Sequence, residues 1–101
     1  MRILVILSPT NRRGTKAEYT NLRKYLMKDG YLRIAPDVFM RITANRKTAQ
    51  KHFTRLQNHA PTTGNVRIIR LTEKQYANIT YLAGGPVIQE QTVGANCHIM
   101  L

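Results

Sequence analysis

The run Ile3-Leu4-Val5-Ile6-Leu7 constrains this chain more than any other segment. Its five apolar residues, three of them β-branched, leave no polar side, so it reads as a strand buried on both faces. Such a strand belongs inside a sheet and needs other elements to cover it. The run is too short to cross a bilayer or to form a signal-peptide core, and no other stretch reaches spanning length. The strand ends at Ser8-Pro9. A loop with Arg12, Arg13 and Gly14 follows it.

The remaining pattern supplies the cover. Thr15 and Glu18 match a capping box, which opens a helix to about Asp29, and Gly30 stops it. Tyr19, Leu22 and Leu26 share its apolar face. Tyr31 to Ile34 and Val38 to Ile42 read as strands around the turn Ala35-Pro36-Asp37. Asn45 is a good N-cap for a second helix ending before Pro61, with Ala49, Phe53, Leu56 and Ala60 at helical spacing. After Thr62-Thr63-Gly64 comes the strand Val66 to Leu71. The order strand, helix, strand, strand, helix, strand predicts an α+β, ferredoxin-like βαββαβ domain. Ala77 to Ala83 reads as an additional C-terminal strand, which places the domain at residues 1–84. Residues 85–101 form a tail that docks as a short strand.

Charge decides the class of partner. Sixteen Lys and Arg face five acids, a net +11, and that excess is the footprint of a phosphate binder. An anionic membrane would call for a long basic amphipathic helix, and these helices are short. Arg12 and Arg13 beside a helix head, with Lys16 in its first turn, are the expected nucleic-acid contacts, because helix N-terminal amides also favour phosphate. The single Cys97 makes no internal disulfide and has no metal-ligand spacing, which fits a reducing cytoplasm.

Other chemistry is thinly represented. His52 and His59, seven apart, make half a metal site and read as surface or DNA-facing residues. Cys97 and His98 are neighbours, which point to opposite faces of a strand. Gly14-Thr15-Lys16 lacks the spaced first glycine of a phosphate loop. The five tyrosines read as core and interface residues. Strand Val66 to Leu71 carries none of the aromatics of an RNA-recognition module, so a small RNA-binding domain is the weaker reading.

Several blocks in order resemble one family. They are the Met1-Arg2-Ile3-Leu4-Val5 start, Tyr19 to Leu26 leading to Lys28-Asp29-Gly30-Tyr31, and Val38-Phe39-Met40-Arg41. Gly64-Asn65-Val66-Arg67 and Leu71-Thr72-Glu73-Lys74-Gln75-Tyr76 complete the set. Over residues 1–84 the chain resembles the Cas2 family of CRISPR adaptation proteins, in the version found beside type II effector nucleases. The resemblance implies a homodimer in which each fifth strand extends the partner's sheet. It also implies a place between two integrase (Cas1) dimers that insert duplex DNA as a new spacer in antiviral defence. The family is labelled endonuclease, with an aspartate ending the first strand and holding magnesium. Here Ser8 stands at that point, and neither Pro9, Thr10 nor Asn11 supplies an acid. Glu18, Asp29, Asp37, Glu73 and Glu90 do not replace it, so no catalytic residue, metal ligand or cofactor is expected. A metal-dependent endoribonuclease like the toxin-like VapD proteins is the alternative.

Overall fold

The computed structural model describes residues 1–11 and 14–90. Its elements are β1 (Arg2–Ser8), α1 (Thr15–Lys28), β2 (Leu32–Ala35), β3 (Val38–Ile42), α2 (Arg46–Gln57), β4 (Asn65–Leu71) and α3 (Glu73–Ala77). The four strands form one antiparallel sheet in the order β2-β3-β1-β4. This is the ferredoxin-like arrangement that the element order predicts.

β1 is central, as an apolar run requires. Ile3, Val5 and Leu7 point to one face with Phe39 of β3. There they meet Tyr19, Leu22 and Leu26 of α1 and Ala49 and Leu56 of α2. Burial of β1 alternates, however. Leu4 and Ile6, on the opposite face, remain half-buried. The strand expected to be buried on both sides is therefore fully covered on one side and only partly on the other, where Arg2 and Met40 are buried beside Glu73 and Tyr76 of α3. Leu4, Ile6, Val38, Ile42 and Ile69 share the open face by register.

α1 ends where Gly30 was expected to end it. Gly30 takes φ 90°, its amide donates to Met27 O at 3.2 Å, and the Tyr31 amide donates to Leu26 O at 2.9 Å. This is the paired bonding of a Schellman motif. The start of α1 differs from expectation. Gly14 is the N-cap, with no side-chain cap bond, and Thr15 and Glu18 bond across to another loop. The reciprocal capping box occurs instead at Thr72 and Gln75, heading α3. Glu73 thus lies in the first turn of a helix.

No fifth strand forms among the described residues. Residues 78–87 follow α3 without pairing, Ile79 and Tyr81 are exposed, and Leu82 is wholly exposed. A strand needs an edge to bond, and within one chain this segment meets none. Of the tail, residues 85–90 fold back through Glu90, which accepts from Tyr76 Oη and from the Val87 amide. The expected terminal strand beyond residue 90, with Cys97 and His98, lies outside the described residues.

Candidate nucleic-acid interface

The end of β1, the loop after it and the head of α1 are held together by hydroxyl groups. Thr15 Oγ1 is 2.7 Å from Thr63 Oγ1 and 3.3 Å from Thr10 Oγ1, and Tyr19 Oη donates to Thr63 O at 2.7 Å. The Thr62 hydroxyl donates to Glu18 at 2.9 Å. These bonds clamp the turn before β4 onto α1. Gly64 makes the clamp possible. It has φ 71°, and a Cβ there would sit 2.7 Å from Ser8 O and against Tyr19 Oη. Only glycine suits both the conformation and the space.

Lys16 stands exposed on this platform and lines a cavity of about 300 Å³ with Pro9, Thr10, Asn11, Thr15, Tyr19 and Arg23. Arg12 and Arg13 lie outside the described residues. Of the three expected nucleic-acid contacts, the structure thus describes Lys16 alone.

All five acids are engaged. Asp37 pairs with Arg23 at 2.9 Å, Glu73 with Arg2 at 2.8 Å, and Asp29 with Arg55 at 3.1 Å. Glu18 and Glu90 are held by Thr62 and Tyr76. Among the described residues, Lys16, Lys24 and Lys28 of α1 have no carboxylate partner. Nor have Arg46, Lys47 and Lys51 of α2, or Arg67 and Arg70 of β4. Arg33 of β2, Arg41 of β3 and Lys74 of α3 lack one as well, so among the described residues the excess charge is spread over most of the elements.

Ser8 faces Asn65 across the β1–β4 register, with no acid beside it. Magnesium takes carboxylate oxygens in preference to neutral hydroxyls and amides, so the donors at this strand end do not fit that ion. Among the described residues, no group of three from His, Cys, Asp and Glu could hold a metal ion.

His52 corrects the reading of both histidines as surface residues. It is 6 % exposed, because Ala49, His52 and Leu56 form the inward stripe of α2, and Phe53 is only half-buried. Its Nε2 accepts from Arg41 Nε at 3.1 Å, and its Nδ1 lies 2.8 Å from Arg55 and 3.5 Å from Asp29. Burial lowers its pKa, and the two guanidiniums lower it further against the pull of Asp29. His59 is exposed and stacks on Tyr25 at 3.7 Å. The spacing of Ala49, His52 and Leu56 held the signal for burial, but a polar residue hides it from a search for apolar repeats.

The family model for the CRISPR associated protein Cas2 matches residues 11–79. The chain belongs to the Cas2 family. A relative from Acidovorax ebreus (strain TPSY) is 40 % identical over 96 residues, covering 94 % of each chain. One from Ligilactobacillus salivarius (strain UCC118) is 33 % identical over 85 residues, covering 83 % of this chain and 84 % of that one. A third, from Campylobacter jejuni, is 32 % identical over 92 residues, covering 90 % of this Cas2 chain and 64 % of its own. Each of these is called a CRISPR-associated endoribonuclease Cas2. Among the described residues of this Cas2 protein, no helix is long and apolar enough to cross a membrane.

Proposed function

We propose that this Cas2 protein is a cytoplasmic CRISPR adaptation subunit of antiviral defence. As a homodimer it binds duplex DNA along the backbone and bridges integrase (Cas1) dimers during spacer acquisition. The observation that carries the reading is the set of cations on α1, α2 and β4 that have no carboxylate partner. Phosphate contacts fix position without reading sequence, as spacers of arbitrary sequence demand. Arg12, Arg13 and Lys16 supply one such contact at the head of α1. The open sheet face supports the homodimer, since Leu4, Ile6 and Ile69 stay uncovered in one chain.

The subunit leaves bond-making to the integrase, because Ser8 offers no carboxylate for magnesium. The relatives' name favours a second reading, metal-dependent endoribonuclease activity, which needs an acidic donor set at the strand end. The test is binding of a short duplex over a salt series, followed by gel filtration with the integrase. Lys16→Ala and an Arg12→Ala/Arg13→Ala variant each lower the salt slope by about one unit per lost contact. Unchanged slopes reject those residues as phosphate ligands, and failure to join the integrase rejects the bridging role. RNA cleavage by the unaltered protein in magnesium, abolished by chelation, establishes the second reading instead.

A further inference from the structure

We infer that a second phosphate-binding site lies at the other end of the sheet, between α2, β4 and the start of α3. It deepens the duplex-binding reading and rests on it. A cavity of about 340 Å³ opens there, lined by Met1, Arg46, Arg70, Thr72 and Gln75. No acidic side chain lines it. Its nearest acid along the chain, Glu73, is engaged by Arg2.

Arg70 is braced for this role. Its guanidinium donates to Gln50 Oε1 at 3.2 Å and lies 5.5 Å from the centre of the Phe53 ring. One of its five N–H donors is thereby used, and the planar fork stays oriented. The Arg46 side chain, from a different element, has no hydrogen bond or ion pair among the described residues. Two guanidiniums facing one polar cavity repel each other until an anion bridges them, and the guanidinium fork matches phosphate oxygens. Arg46 and Lys47 also occupy the first turn of α2, which holds no acid, although cations there oppose the helix dipole. A bound anion relieves both conflicts. A neutral or cationic molecule removes neither, so the ligand is an anion, and on the duplex-binding reading it is a backbone phosphodiester group.

Arg70 pairs in register with Ile3, and Asn65 with Ser8, so this cavity and the Lys16 platform lie at opposite ends of β1. Five residue steps at the usual strand rise separate them by roughly 17 Å. A duplex lying along the chain can therefore touch both.

The experiment measures affinity for a short duplex across a sodium chloride series, for the unaltered protein and for exposed-site variants. Arg46→Gln/Arg70→Gln is expected to lower the salt slope by about one unit, the one phosphate that the two guanidiniums share, and Arg46→Lys/Arg70→Lys to restore most of it. Lys16→Ala, at the far end, is expected to lower the slope separately and additively. Binding by the unaltered protein with an unchanged slope in the Gln variant overturns this site and leaves the duplex reading standing. No duplex binding at low salt overturns both. Inorganic phosphate bound by the unaltered protein and lost in the Gln variant, with no effect on duplex binding, assigns the cavity to free phosphate and overturns the backbone assignment.

Discussion

Arg2 shows how one charged residue can be buried in so basic a chain. Its guanidinium, in a side chain 5 % exposed, pairs with Glu73, stacks 3.7 Å from the Tyr76 ring centre and reaches Met40 Sδ at 3.5 Å. Removing Glu73 leaves that charge without a counterion, and a broken buried pair costs more than the intact pair contributes. Glu73→Ala is therefore expected to destabilise by about 2 kcal/mol, below the figure for wholly buried pairs because the carboxylate is over a third exposed. Arg2→Met combined with Glu73→Gln should recover most of the loss in urea unfolding. His52 supplies a pH signature at the same scale. Its folded pKa lies below its ordinary 6.5, so the unfolded chain binds the proton more readily. Its contribution to stability is complete above pH 6.5 and is lost as pH falls towards the lowered folded value. The facing charges are Arg41 of β3, Arg55 of α2 and Asp29 at the end of α1. Thermal unfolding from pH 7.5 down to 5.5 should show a decline that His52→Gln flattens. Equal pH profiles for the two proteins count against the assignment.

Two glycines separate backbone conformation from space at the level of elements. Gly64 and Gly84 both hold positive φ, 71° and 70°, yet a Cβ on Gly64 meets the Ser8 carbonyl, whereas one on Gly84 meets nothing within 4 Å. Gly84→Ala is expected to cost about 1 kcal/mol for the left-handed conformation alone. Gly64→Ala should cost at least about 3 kcal/mol, because β1 and the turn before β4 must also part. Differential scanning calorimetry compares them directly, and equal losses would deny the clamp. The same elements show what the sequence made legible. β1, α1, β3 and the cap of α2 at Asn45 all carry local signals, apolar run, period or cap, and each forms where it was expected. The head of α1 misleads because Thr15 and Glu18 find partners in residues 62–63, and such long-range bonds leave no mark on local spacing. α3 was legible in principle, since Thr72 and Gln75 match the capping-box pattern. The fifth strand was read from the segment's composition and from the family resemblance, and it pairs with neither open edge of the sheet, β2 or β4. Lys16 was picked out by charge beside a helix head, whereas the hydroxyl clamp around it and the cavity shared by Arg46 and Arg70 required the fold.

At the scale of the whole molecule, two forces act on association in opposite directions. The open face of the sheet presents Leu4, Ile6 and Ile69, the last 41 % exposed, to whatever covers it. Burying apolar surface at about 25 cal/mol per Å² favours a second copy there. Each copy carries +11, however, and two such charges repel across the interface. Raising salt from 0.05 to 0.5 M shortens the screening length from above to well below 10 Å, roughly, and removes much of that repulsion. The homodimer should therefore tighten as salt rises, over the same range in which duplex binding weakens through counterion competition. Sedimentation equilibrium should record a mass near twice 11.6 kDa, with dissociation falling at higher salt. Ile69→Lys puts a new cation on each face, so it should shift that equilibrium to monomer while leaving the single-chain fold intact by circular dichroism. A dimer that loosens with added salt, or one that Ile69→Lys leaves unchanged, would show that polar contacts elsewhere hold the copies together and that the sheet face serves another partner.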